Sequence, residues 1–334
     1  MKPIKKLMLG GLSLLVIAAV VFCFLLFYPL KLTSTYSLTV KPGQAYGQTV
    51  RMLDENGTIR SRYVMLMVSS IMGTHKQLKP GMYRIQGSVS TWDIIKHLQI
   101  GHPDRMSVRI VEGMTFAQFR NRVHKAEGLT FETKNLSESQ LLQKISAPHE
   151  KGEGLLFPDT YIYNWGDTDL SLYKQAYERM QEHLNEAWEN RQENLPYQNP
   201  YELLTMASIV EKETAHENDR AKVAAVFVNR LNIGMKLQTD PTVIYGMGDR
   251  YKGVLYRSEW KRDSPYNTYT RHGLTPTPIA LPGKKALEAA ANPSDDKYLY
   301  FVSRMDGTGL SQFSHTLDEH NRAIEEFIRK RKKK

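Results

Sequence analysis

From Leu7 to Tyr28 the chain runs through 22 consecutive positions without a charged residue. As a helix that run is ~33 Å long and matches the hydrocarbon core of a bilayer. A single N-terminal transmembrane helix over 7–28 is therefore expected. Lys2, Lys5 and Lys6 precede it and only Lys31 follows closely, which puts residues 1–6 in the cytoplasm and everything after the helix outside. The alternative is a cleaved signal peptide. Against it, the apolar run exceeds the usual h-region of ~7–15 residues, and Phe27-Tyr28-Pro29-Leu30 offers no small-residue cleavage pattern. Cys23 follows the bulky Phe22, which argues against a lipid-attachment cysteine.

Of the formal charge of +10, the three N-terminal lysines and the basic tail 329–334 carry nine, leaving a nearly neutral body. No broad phosphate-binding face is implied, so nucleic acid is not an expected partner. The single cysteine excludes an intrachain disulfide and the usual multi-cysteine zinc sites. With 41% hydrophobic and 24% charged residues, the chain has the composition of a packed globular protein.

Residues 29–105 mix short β-rich runs with amphipathic stretches, among them a strand at Tyr36 to Val40 and a helix from about 45 to 56. Val40-Lys41-Pro42-Gly43-Gln44-Ala45-Tyr46 and Val111-Glu112-Gly113-Met114-Thr115-Phe116 both read as a strand, a glycine turn and a helix start. Sugar-binding βααβ modules of the LysM type have this entry, so 29–105 is expected to be LysM-like, and 106–150 a connecting region with the second such unit. From 151 to 328 the expected elements are helices at about 170–190, 201–214 and 219–231 with Asp219 as N-cap, then a long loop-rich stretch through Gly283. A helix at 284–291, a strand at 298–302 and a helix at 316–329 follow. This mixed order without regular βα alternation points to an α+β fold.

Two acids stand near the end of the 201–214 helix. On a wheel, Glu211 lies about 20° from Leu204 on an apolar flank, where desolvation favours the protonated acid. Glu213 lies about 200° away, between Met206 and Ile209, at a helix end that is expected to be wetter. The wheel alone does not choose between them. Asn229, Gln238, Thr239, Asp240, Tyr245, Asn267 and Tyr269 follow in irregular segments rich in amides, hydroxyls and aromatic faces, a chemistry suited to an uncharged polar polymer such as a sugar chain. Asp240 reads equally as a turn cap before Pro241. His216-Glu217 lacks the second histidine of a helical zinc motif, and no phosphate loop or serine elbow occurs, so no metal or cofactor is expected.

Glu153-Gly-Leu-Leu-Phe-Pro-Asp-Thr-Tyr161, Ala207-Ser-Ile-Val-Glu-Lys-Glu213, Val226-Phe-Val-Asn-Arg-Leu231, Leu237-Gln-Thr-Asp-Pro-Thr-Val-Ile-Tyr245 and Tyr266-Asn-Thr-Tyr269 together resemble the signature blocks of the MltG (YceG-like) endolytic murein transglycosylases. The resemblance implies a LysM-like region, a catalytic domain over 151–328, and an enzyme on the inner membrane with its catalytic domain in the periplasm. It also implies peptidoglycan strands as substrate, peptidoglycan synthases (penicillin-binding proteins) as partners, and Glu211 as the catalytic acid. Glu213, Asn229, Gln238, Thr239, Asp240, Tyr245, Asn267 and Tyr269 are then expected to orient that acid or hold sugar. The expected reaction opens the MurNAc-β-1,4-GlcNAc bond with closure of a 1,6-anhydro ring. A hydrolytic muramidase and a non-enzymatic peptidoglycan-binding or division scaffold are the alternatives. The chain departs from the family pattern at Thr275-Pro276-Thr277 and at Leu310-Ser311-Gln312.

Overall fold

A computed structural model describes residues 2–100 and 105–331. Part of the expected basic tail, 332–334, and part of the expected 29–105 region, 101–104, lie outside the described residues, as does Met1 of the cytoplasmic segment. The chain divides into two compact units, one of residues 1–107, 126–130 and 162–168, the other of 108–125, 131–161 and 169–334. The stretch 106–150, expected as a connector, is thus shared between them.

In the first unit, helix α1 (Lys2–Phe27) leads to strands β1 (Leu30–Lys31) and β2 (Tyr36–Val40), helices α2 (Tyr46–Glu55) and α3 (Arg62–Met72), strands β3 (Gly81–Ile85) and β4 (Ser88–Val89), and helix α4 (Thr91–Ile100). One window of α1, Gly10–Phe27, has mean hydropathy 2.7 and is long and apolar enough to cross a membrane. Strands β2 and β3 pair antiparallel, Tyr36 opposite Ile85 and Val40 opposite Gly81. Gly43, at φ +75°, makes the left-handed turn that carries β2 into α2. Ser61 caps α3 by accepting from the Val64 amide, and Gly73 ends it in a left-handed conformation. Leu38, Val40, Leu53, Met65, Tyr83 and Ile95 fill the core. Around that core the order is strand, helix, helix, strand.

The second unit is mixed α+β. Strands β5 (Met106–Arg109) and, further on, β6 (Thr160–Tyr163) are each split by the division, while helices α5 (Phe116–His124) and α6 (Glu138–Lys144) and the long α7 (Asp169–Glu189) lie within the second unit. Next come α8 (Pro200–Glu213), α9 (Glu217–Asn232), α10 (Asp240–Met247), α11 (Arg257–Lys261) and α12 (Lys284–Ala291), then the β7 (Tyr300–Ser303) and β8 (Ser311–Ser314) hairpin and α13 (Leu317–Arg331). Asn199 caps α8 with Pro200 in its first turn. From Leu203 to Val210 every residue of α8 is buried, because α7, α9, α10 and α12 pack around it. Ala286, Ala289 and Ala290 are buried in α12, and their small side chains let that helix come close to its neighbours.

Three expectations are corrected here. Helix α9 starts at Glu217 with His216 as N-cap, and Asp219 lies inside its first turn, where the carboxylate accepts from the Ser311 amide at 2.6 Å. The strand expected at 298–302 runs from Tyr300 to Ser303. The loop-rich stretch before Gly283 contains the short helices α10 and α11.

Gly154 of the first signature block sits at φ +79°, and a Cβ there would come 2.5 Å from the Pro278 ring. Gly154→Ala is expected to cost roughly 2–4 kcal/mol through backbone strain and overpacking. Chemical denaturation should show that loss as a lower midpoint with an unchanged slope.

Candidate active site

Helix α8 ends by presenting two carboxylates on opposite faces, and each meets a different environment. The Glu211 side chain is 6% exposed and pairs with the equally buried Arg220, whose Nη1 lies 3.4 Å from Oε2. The same oxygen accepts from the Gly283 amide at 3.0 Å. Burial pushes the Glu211 carboxyl above its ordinary range, while the Gly283 N–H and the Arg220 guanidinium pull the other way. The apolar flank anticipated for Glu211 is real, but a cation and an amide are built into it.

Glu213 is the last residue of α8, and its carboxylate accepts from the Thr239 hydroxyl at 2.7 Å. No cation stands within ion-pair distance of it among the described residues. Burial is the main force pushing its carboxyl upward, and the neighbouring Asp240 carboxylate adds to it; the Thr239 hydroxyl and the more distant Arg230 oppose. The negative end of the α8 dipole acts in the same upward direction. The wetter end expected from the wheel is corrected: residues far along the chain fold over Glu213. It lines a groove of about 540 Å³ together with His216, Phe301, Ser303, Gly309 and Ser311.

What covers Glu213 is the segment entering α10. Gln238 takes a left-handed backbone conformation, φ +48°, which leaves its own side chain exposed and turns Thr239 inward. Thr239, Thr242 and Thr268 form a buried lattice in which the Thr239 amide donates to Thr268 Oγ1 at 3.1 Å and the Thr242 and Thr268 hydroxyls meet at 2.9 Å. Asp240 accepts from Tyr269 Oη at 2.6 Å and from Trp260 Nε1 at 3.1 Å, and the Trp260 and Tyr269 rings stack. Arg230 donates from Nε to the Leu299 carbonyl and from Nη1 to the Leu237 carbonyl, pinning both chains beside the site.

Of the residues anticipated from sequence, Glu213, Thr239, Asp240 and Tyr269 therefore come together. The others do not join them. Asn229 uses Nδ2 to hold the Asp296 and Tyr298 carbonyls, so it organises a loop. Asn267 is buried and donates to the carbonyls of Glu259, Trp260 and Arg262 while accepting from the Tyr269 amide. It holds Trp260 and Tyr269 in place from behind. Tyr245 donates to Glu153 Oε2 at 3.2 Å, away from Thr239. Burial pushes Glu153, which also accepts from the Phe116 amide, up to about 7. Glu211 points to the Arg220 side.

Sequence reasoning missed Thr268, Trp260, Arg220 and the groove residues His216 and Phe301. Arg220 and His216 flank the Glu-Lys-Glu run, and their proximity was a usable signal. Nothing local marked Trp260. Among the described residues no group of three or more His, Cys, Asp or Glu is placed to hold a metal ion.

Comparison with known proteins gives a consistent result. The model of the YceG-like family matches residues 38–326. An endolytic murein transglycosylase of Bacillus subtilis (strain 168) is 42% identical over 187 residues, covering 54% of this chain and 49% of that protein. Its counterpart in Streptococcus pneumoniae (strain D39) is 31% identical over 287 residues, covering 76% of this chain and 51% of that protein. The chain thus spans about half the length of the curated relatives it matches. The crystal structure of a YceG-like protein from Listeria monocytogenes superposes with a TM-score of 0.55 at 27% identity, covering 88% of this chain and 99% of that one.

Both acids have folded values above the ordinary 4.5, but they differ in what their removal leaves behind. Glu211→Gln leaves a buried arginine without a counter-charge and should lose roughly 3 kcal/mol or more of stability. For Glu213 the folded value lies above the ordinary 4.5, so above that pH the unfolded chain releases a proton the folded one retains, and stability falls as pH rises toward the folded value. Glu213→Gln should therefore be more stable than the parent at neutral pH, with the difference closing below about pH 4.5. Denaturation series at several pH values measure both.

Proposed function

Because the chain belongs to the YceG-like family, we propose that it is a membrane-anchored endolytic murein transglycosylase whose proton donor is Glu213. The observation that carries this reading is a half-buried carboxyl, with no paired cation among the described residues, lining a groove large enough for a short stretch of glycan. Glu211, the acid implied by resemblance at the level of sequence, is held by Arg220 and Gly283, so its role is to anchor the end of α8. Burial raises the Glu211 carboxyl too, but Arg220 and the Gly283 amide oppose that rise and occupy one of its oxygens.

In the proposed reaction, protonated Glu213 donates to the glycosidic oxygen as the MurNAc-β-1,4-GlcNAc bond opens toward an oxocarbenium-like state. The resulting carboxylate then takes the proton of the muramic C6 hydroxyl as that oxygen attacks C1, closing the 1,6-anhydro ring. The nucleophile belongs to the substrate, so effective molarity replaces the second carboxylate that hydrolysis requires. Thr239 fixes the Glu213 carboxyl by donating to one oxygen and leaves the other for the proton. Asp240, held by Tyr269 and Trp260, keeps a negative charge near Glu213 that favours its protonated form and stabilises the passing cation. No step calls for a metal or an organic cofactor.

The strand, helix, helix, strand order of the first unit supports a LysM-like module, and the apolar α1 supports an anchor in the inner membrane with a cytoplasmic N-terminus and a periplasmic catalytic unit. From that position the enzyme would release or terminate nascent peptidoglycan strands beside the synthases that make them.

Digestion of purified sacculi by the full chain in detergent, with products weighed by mass spectrometry, tests the reading. The parent should release anhydromuropeptides. Glu213→Gln should release none while retaining the parent's circular dichroism and sacculus binding. Glu211→Asp, which keeps the pair with Arg220, should retain measurable turnover. Anhydro product from folded Glu213→Gln would overturn the assignment, and products heavier by one water would identify a muramidase.

A further inference from the structure

The first unit carries an apolar surface that its fold does not use. Helix α3 buries Val64, Met65 and Val68 in the core, yet its opposite face shows Tyr63, Leu66, Met67 and Ile71 to the outside, with Ile71 79% and Tyr63 69% exposed. At 100° per residue these four span a single stripe of about 140°. A helix apolar on both faces is expected where both faces are covered. Here one is not.

The position of α3 relative to α1 identifies what covers it. The last turns of α1 are built into the same core: Leu26 is buried within it, and Phe22, Leu25 and Met72, the final residue of α3, pack against it. Thr91 Oγ1 donates to the Leu25 carbonyl at 3.1 Å. Arg60, just ahead of α3, donates to the Tyr28 and Pro29 carbonyls and lays its guanidinium over the Phe24 and Tyr28 rings at 4.8 and 4.9 Å. Helices α1 and α3 also touch directly.

Depth follows from length. The uncharged run Leu7–Tyr28 has 22 residues and is ~33 Å long, only about 3 Å more than a hydrocarbon core of about 30 Å. No turn of it can be spared to stand above the bilayer. Phe22 lies ~9 Å along the axis from Tyr28, so whatever packs on Phe22 and Leu25 must reach the lipid boundary. The flanking chemistry suits that boundary. Arg62 stacks on the exposed Tyr63 at 4.8 Å, and exposed Lys76 and Lys79 follow the helix, giving aromatic and basic groups beside an apolar stripe.

We propose that the α3 stripe Tyr63, Leu66, Met67 and Ile71 is a second membrane contact, lying in the headgroup and acyl boundary of the leaflet from which α1 emerges, with Arg62, Lys76 and Lys79 facing anionic lipid headgroups. The first unit is then seated on the bilayer at two places and does not swing on a single stalk. This rests on the reading of α1 as a membrane span.

The test places a nitroxide at single cysteines in the full chain carrying Cys23→Ser, reconstituted in vesicles of phosphatidylethanolamine and phosphatidylglycerol. Collisions with oxygen, which enters lipid, are compared with those of a water-soluble nickel chelate at Met67→Cys and Ile71→Cys. Val16→Cys within the span and Lys174→Cys on an exposed face of α7 serve as references. The oxygen-to-nickel ratio at 67 and 71 should be several-fold above that at 174 and approach that at 16. If 67 and 71 match 174 while 16 stays lipid-like, the stripe faces water and only the second contact fails. If both reagents are excluded at 67 and 71, another protein surface covers the stripe, and the proposal is again overturned. A water-like value at 16 would remove the anchor itself, and the second contact with it.

Discussion

Everything proposed for the second unit depends on the burial of one helix end. Helix α8 is buried from Leu203 to Val210, and the two acids that follow, on opposite faces, are both partly taken out of water. Burying a carboxylate is costly unless a cation or several donors meet it, and otherwise the group keeps its proton. Glu211 meets Arg220 and the Gly283 amide. Glu213 meets one threonine hydroxyl and a second carboxylate in its vicinity. The same helix therefore gives one acid a cation and an amide to oppose its burial, and the other a threonine hydroxyl.

That asymmetry is maintained by residues distant in sequence. The left-handed turn at Gln238 points Thr239 at Glu213, and the threonine lattice fixes that turn to the 266–269 loop. Asn267 braces the loop from behind by gathering three carbonyls, which holds Trp260 and Tyr269 against Asp240. A groove wall made by β7 and β8 completes the surroundings, and the Asp219 carboxylate ties β8 to α9 through the Ser311 amide. Ser311 also lines the groove.

The sequence made the elements around the site legible because their signals are local. The helix expected at 201–214 is α8, Pro200–Glu213, to within a residue at each end. The strand, glycine turn and helix start was read correctly at Gly43 and Gly113, both of which take φ +75°. Local signals could not say which side of α8 would meet Arg220 and which would meet Thr239, since each contact is made by a segment that folds back. The same limit applied to the amides. Asn229 and Asn267 have the residue type of sugar-binding groups, but their side chains are consumed by carbonyls of irregular backbone, which only the tertiary fold brings within reach. In the first unit, the apolar face of α3 was hidden for the converse reason: a helix apolar all round reads as core, and only its exposed stripe shows otherwise.

The central claim is that Glu213 holds its proton above the ordinary carboxyl value of 4.5. Infrared difference spectroscopy between the parent and Glu213→Gln, across a pH series, observes that proton directly. The account predicts that the difference spectrum holds a protonated-carboxyl band, contributed by the parent and lacking in the variant, that persists above pH 4.5. A parent spectrum in which that band has vanished by pH 4.5, with the site ionised like any surface glutamate, would contradict it.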